Sequence, residues 1–229
     1  MSDKHVCEFC KRSFHSEMTL INHSCEKKRR WFGRDDPHAR LAFMAWARFY
    51  ELNSQITKKG TKRTFREFMD SNYYIAFMKF GKQLIDLNAI EPARFIDYVI
   101  KNNLPLDKWT HDIVYEKYVV ELVKSESPEQ ALQRNIELMQ QWSVQNGEEW
   151  YNFFRKISPI QAAAWVKNGK ISPWVLYNTD SAESLFDRCG EEQLSMITAA
   201  AKPPQWKIRF NKNPDSANWI RQTLRQAGM

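Results

Sequence analysis

Residues 157–177 read ISPIQAAAWVKNGKISPWVLY, and the fold class follows from how this stretch is punctuated. Ser158-Pro159 and Ser172-Pro173 each set a hydroxyl residue before a proline. That is the order expected at a helix start, where the serine caps an orphan N–H and proline suits the first helical position. Gly169 falls where the first of the two helices should stop. The segment has helix-turn-helix proportions, yet its second helix, Pro173-Trp174-Val175-Leu176-Tyr177, is almost wholly apolar. A helix that reads DNA needs polar tips, so the stretch is read as a core helical hairpin.

The same signature recurs at Asp36-Pro37, Glu91-Pro92, Ser127-Pro128 and Asn213-Pro214. Downstream of these points apolar residues return at three- and four-residue spacing. Leu41, Met44, Ala45, Phe49 and Leu52 make one stripe, and Phe95, Ile96, Val99 and Ile100 a second. Val114, Tyr118 and Leu122 follow, then Leu132, Ile136, Met139 and Trp142. Gly147 and Gly190 mark further stops. Only Trp206-Lys207-Ile208-Arg209-Phe210 alternates as a strand would, and a lone strand has nothing to pair with. The expectation is one all-α, multi-helix domain over residues 37–229. Residues 64–80 (TFREFMDSNYYIAFMKF) interleave aromatics with cations, as a stacking platform for single strands would. At this spacing aromatics more often build a core, and that reading is taken here.

Composition narrows the function. The 229 residues are 43% apolar and 27% charged, with no apolar run near the roughly 18 residues of a membrane span. No apolar signal region opens the chain, so an intracellular, cytoplasmic location is expected, with no membrane partner. Neither G-x-G nor G-K-[ST] occurs among seven glycines, which removes Rossmann and P-loop nucleotide sites. The net charge of +7 is uneven. Residues 1–66 carry +8 (15 cations, 7 anions), 67–201 carry −6 (13 and 19) and 202–229 carry +5 (6 and 1). Basic ends attract phosphate backbones or an acidic partner.

Cys7, Cys10 and Cys25 crowd the first 25 residues, and Cys189 stands alone. An odd trio with a nearby histidine points to metal in a reducing compartment, not to disulfides. Residues 6–25 read VCEFCKRSFHSEMTLINHSC, with C-x2-C, then Phe14, Leu20 and His23. This resembles the two-Cys two-His zinc-finger family, which implies a small ββα finger over residues 1–26 holding Zn2+. The hairpin would set the Cys7 and Cys10 thiolates on one side of a tetrahedral ion, and a short helix capped by Ser16 would bring His23 to the other. Phe14 and Leu20 would form its core, and metal binding would supply about 10–16 kcal/mol. The chain departs from the family at the fourth ligand. Cys25 follows His23 by two positions, and residues so spaced diverge on a helix. The helix must therefore end near Ser24 for Cys25 to complete a three-Cys one-His site; His5 or His15 could substitute.

By analogy with the family, Ser16, Thr19 and Asn22 would face bases, though none is the arginine that makes the strongest guanine contact. Met18 and Ile21 on the same helix suit a protein contact. Behind the finger, a basic linker over residues 27–36 opens with Lys27, Lys28, Arg29, Arg30, Trp31 and Phe32. These suit phosphate contact plus stacking, or alternatively a solvated hinge whose Trp31 and Phe32 anchor the finger. Lys212, Arg221 and Arg225 on a C-terminal helix would add phosphate contacts.

The leading expectation is a non-enzymatic accessory protein that binds nucleic acid, DNA before RNA, without sequence specificity. Its helical body would dock on a larger transcription or replication machine such as a polymerase or replisome. A finger joined to a helical body is similar in layout to accessory proteins of large DNA phages. The alternative is an adaptor whose finger binds a protein. A third reading rests on His111-Asp112, which is similar to the HD-type metal phosphohydrolases; His38 with Asp180 or Asp187 would complete such a site. Asp107 and Asp112 also read simply as helix-start charges. Cys189 reads as a buried small hydrophobe.

Overall fold

The computed structural model describes residues 5–53 and 62–229. It is all-α, 71% helical, with one two-stranded sheet among the described residues. The chain divides into two compact units, Met1–Tyr115 and Glu116–Met229, and that boundary falls inside the range read from sequence as one domain.

The first unit opens with strands β1 (His5–Val6) and β2 (Ser13–Phe14), antiparallel with His5 opposite Phe14. Helices α1 (Glu17–Ile21), α2 (Glu26–Phe32) and α3 (Pro37–Leu52) follow. Then come α4 (Phe65–Met69), α5 (Tyr74–Asp86) and α6 (Pro92–Lys101). The residues read as a basic linker are thus ordered as α2 and a 3₁₀ turn at Gly33–Asp35. Phe68, Phe77 and Phe80 are fully buried, so the aromatic stretch builds core. Trp109 closes that core edge-on to Phe77 and Phe80, at 5.6 and 5.1 Å between ring centres, and its Nε1 donates to the Leu104 carbonyl at 2.9 Å. Arg48 on α3 holds Asp97 on α6 through two hydrogen bonds, at 2.7 and 3.1 Å, which keep the Asp97 carboxyl below its ordinary range.

The buried stripe of α3 is not the one its large residues outline. Ala39, Ala42, Ala45 and Trp46 are buried, whereas Leu41, Met44 and Phe49 are half-buried and Leu52 is exposed. The cause is Gly81 on α5. A Cβ there would lie 2.2 Å from the His38 carbonyl and 2.9 Å from the Ala42 nitrogen, so the two helices touch backbone to backbone across small residues. Gly81→Ala ordinarily gains about 1 kcal/mol inside a helix. Here it is expected to cost about 2–3 kcal/mol, because neither contact atom belongs to a side chain that can turn away. Urea denaturation checks the sign, and a stabilised variant would contradict this packing.

The second unit takes up the chain within α7 (Asp112–Ser125) and continues with α8 (Pro128–Asn146), α9 (Phe153–Lys156) and α10 (Pro159–Lys167). It ends with α11 (Pro173–Leu176), α12 (Ala182–Phe186), α13 (Glu191–Ala201), α14 (Pro203–Lys212) and α15 (Pro214–Gln226). All six polar-Pro pairs open helices, and Ser127, Ser158 and Ser172 cap theirs through the hydroxyl. Gly147 ends α8 in the left-handed region, while Gly190 corrects expectation by opening α13 instead of closing a helix. The alternating run at Trp206 is helical, as part of α14.

Many of these helices are only one or two turns long, so their last carbonyls need partners. Arginines supply them from a distance. Arg188 donates to the Phe154 and Ile157 carbonyls at 2.6 and 2.9 Å. Arg209 reaches the carbonyls of Val123, Lys124 and Glu126, and Arg134 those of Gly169 and Lys170. Asn135, 1% exposed, pins α8 to α11 by accepting the Ser172 N–H at 3.0 Å.

Candidate metal centre

The hairpin sets the first two ligands. Cys7 donates its N–H to the Arg12 carbonyl at 2.9 Å and accepts from Lys11 N–H at 2.9 Å, which folds residues 7–12 into a tight loop. Lys11 takes φ 62°, a left-handed geometry that disfavours a side chain and that the surrounding loop enforces. Ser16 caps α1 as expected, accepting from Thr19 N–H at 3.3 Å.

The helix ends earlier than the sequence reading required. Its C-cap is Asn22, so His23 lies beyond α1 and residues 23–25 carry no helix. Outside a helix, alternate residues can share one side, and this brings His23 and Cys25 together. Cys25 is itself the N-cap of α2, its Sγ accepting the Lys28 N–H at 3.4 Å. The Phe14 ring packs on the His23 imidazole at 4.6 Å.

The Sγ atoms of Cys7, Cys10 and Cys25 and a ring nitrogen of His23 all lie within 4.8 Å of one another. Cys10 Sγ and His23 Nε2 are 3.2 Å apart, and all four cysteines are free thiols. A tetrahedral ion bound at about 2.3 Å from sulfur and 2.0 Å from nitrogen needs ligand edges of about 3.5–3.8 Å. The set therefore fits a metal ion after adjustments of no more than about 1 Å in its ligand edges. No other group of His, Cys, Asp or Glu comes within ligand distance among the described residues. His5 and His15 stay outside it.

The site also organises its thiols electrostatically. The Cys10 backbone N–H, with that of Phe9, holds the Cys7 thiol below its ordinary value despite burial. At Cys10 the Arg12 N–H acts in the same direction, but burial and the neighbouring Cys7 and Cys25 sulfurs outweigh it and push the thiol up. Three thiolates and a neutral imidazole around a divalent ion would leave one net negative charge, which the adjacent cations would offset.

Those cations are largely engaged. Lys27 pairs with Asp70 at 2.6 Å, and the Lys28 ammonium donates to the carbonyls of His23 and Ile21 at 3.1 and 3.4 Å. Arg30 donates to the Met69 carbonyl and to Glu26 and lies 4.1 Å over the Tyr74 ring. Trp31 is half-buried against Phe9 and Phe65 and flanked by the guanidinium groups of Arg34 and Arg66 at 4.7 and 4.9 Å. Arg29 is exposed. Ser16, Thr19 and Asn22 are exposed too, and the two hydroxyls bond each other at 2.8 Å. In the second unit Arg221 donates to Asn178, Arg225 pairs with Asp180 at 2.7 Å, and Lys212 is exposed.

Sequence reasoning offered Trp31 as an anchor of the finger but missed the rest of the cluster's outer wall. Cys7, Phe9 and Met69 form one buried cluster with Trp31, Phe65 and Tyr74 packed against it. The finger thus shares a core with α4 and α5. The available signal was Phe9, an aromatic inside the C-x2-C loop that the finger's own small core leaves unmatched. Among the described residues the candidate HD residues form no metal-ligand group; His111 and Asp112 are exposed, Asp112 accepts from Gln83 at 3.2 Å, and Asp180 is held by Arg225. Cys189 packs against the core of the second unit, where burial raises its thiol. No protein-family model matches this chain, and no curated protein or solved structure matches it, so the likeness to two-Cys two-His fingers stands on residues 7–25.

Proposed function

We propose that this chain is a non-enzymatic intracellular adaptor, organised by a structural zinc ion, whose finger binds a protein of a larger assembly. Three thiolates and one imidazole are the donor set of a closed structural zinc site, with no coordination position left for substrate. Such thiols persist in a reducing compartment. The observation that carries the reading is on α1, which buries none of its residues and leaves Met18 and Ile21 66% and 60% exposed. Lys27, Lys28 and Arg30, by contrast, are engaged within the first unit. A second reading, sequence-independent nucleic-acid binding, is favoured by Lys11, Arg12 and Arg29, all exposed on the finger and α2.

The two readings separate by photo-crosslinking from benzoylphenylalanine at Thr19 in cells. A discrete protein adduct is expected, lost in Met18→Asp/Ile21→Asp. A nucleic-acid adduct that persists in that variant and disappears in Lys11→Glu/Arg12→Glu/Arg29→Glu would establish the second reading instead. Anisotropy titrations with DNA and RNA across salt give the same division, since phosphate binding steepens with each neutralised contact.

A further inference from the structure

The second unit holds a cavity of about 400 Å³ lined only by its own residues. That volume is within the roughly 300–1,000 Å³ of small-molecule sites. Val119, Val166, Ile171 and Trp206 are buried in its wall, with Met196 half-buried beside them. Three exposed lysines, Lys124, Lys167 and Lys202, line it as well, against one carboxylate, Glu116, which lies 4.0 Å from Lys167. Among the described residues neither Lys124 nor Lys202 has an ion-pair partner.

A lysine at a helix end ordinarily answers the partial negative charge of that end, and these three sit at the ends of α7, α10 and α13. At two of the three, arginines already do so. Arg209 takes the carbonyls of Val123, Lys124 and Glu126 at 3.3, 2.9 and 3.2 Å. Arg134 takes those of Gly169 and Lys170, just beyond α10, at 2.9 and 2.7 Å. Lys124 and Lys167 are therefore positive charge in excess of what their helix ends require, and Lys202 adds a third ammonium group on the lining of the same apolar space.

We infer that this cavity binds a small amphiphilic anion, an alkyl carboxylate of fatty-acid type. The chain lies along Val119, Val166, Ile171, Met196 and Trp206, and the carboxylate is held by Lys124 and Lys202. A cationic amphiphile would meet the same ammonium groups as repulsion, and an uncharged one would lose the head contact.

Calorimetric titration of the full chain with dodecanoate, dodecanol and dodecyltrimethylammonium, each below its micellar limit, tests this. Dodecanoate is expected to bind saturably, one per chain, about tenfold tighter than dodecanol, with no uptake of the cation. Lys124→Glu/Lys202→Glu, at exposed positions, should bring dodecanoate below the dodecanol level with unchanged circular dichroism. Met196→Trp, which fills the cavity, should abolish both. Equal uptake of all three amphiphiles, no saturable uptake, or affinity untouched by the charge reversal would overturn the inference. So would an acidic amphipathic peptide that binds where dodecanoate does not, which would give the cavity to a protein partner.

Discussion

Arg134→Ala is expected to destabilise the second unit by about 3–5 kcal/mol, a large fraction of the stability of a domain this size. The Glu126 side chain is fully buried, and Arg134 holds it through hydrogen bonds of 2.7 and 3.0 Å. The same guanidinium satisfies the carbonyls of Gly169 and Lys170. Truncation therefore strands a buried carboxylate and two carbonyls in one step. The pair itself need not be strongly stabilising, because desolvation offsets much of its attraction. Arg134→Met/Glu126→Leu should recover most of the loss, since no uncompensated charge remains. Urea melts followed by circular dichroism measure both variants. A single-variant loss below about 1 kcal/mol would mean that water reaches Glu126 and the network is not closed.

Cys25→Ser separates the two roles of that residue. Serine is a good N-cap, so α2 keeps its cap, but a hydroxyl replaces a thiolate ligand. Metal affinity is expected to fall by more than the roughly 100-fold typical of losing an outer-shell partner. Hydrogen exchange over residues 5–35 should rise with it. The effect should extend to α4, because Met69 packs with Cys7 and Phe9 and its carbonyl accepts from Arg30. The helices of the second unit should keep their protection. Competition with a chelator and hydrogen exchange report the two halves of this expectation, and unchanged metal affinity would remove Cys25 from the site.

Local signals in the sequence were read well where the chemistry was local. Each Ser-Pro or Asn-Pro pair opens a helix, because capping and a fixed φ act within a single turn. The clustering of Cys7, Cys10, His23 and Cys25 was legible for the same reason, since the four lie within 19 residues of one another in sequence. What failed depended on partners distant in sequence. The apolar stripe of α3 pointed to Leu41 and Met44, but Gly81 lets α5 approach Ala39 and Ala42, and small residues win when backbones touch. Helix α9 is too short to declare itself by periodicity, and its last carbonyls are held by Arg188 from another element. The basic run at 27–30 read as charge free for phosphate contact, or as a solvated hinge. Its carbonyl, carboxylate and aromatic partners include Met69, Asp70 and Tyr74, some forty residues away, and no pattern in the run itself announces them.

The Cys7, Cys10, His23 and Cys25 cluster lies where the N-terminal hairpin packs on Met69, and whether it binds metal, and through which ligands, is open to direct measurement. X-ray absorption at the zinc edge of the purified full chain, combined with metal analysis, is the test. One zinc per chain with three sulfurs at about 2.3 Å and one nitrogen at about 2.0 Å is the expected result. Two sulfurs and two nitrogens would mean that His5 or His15 displaces Cys25. Chain that binds no metal, yet protects residues 5–35 from exchange, would mean that the hairpin is held by packing alone.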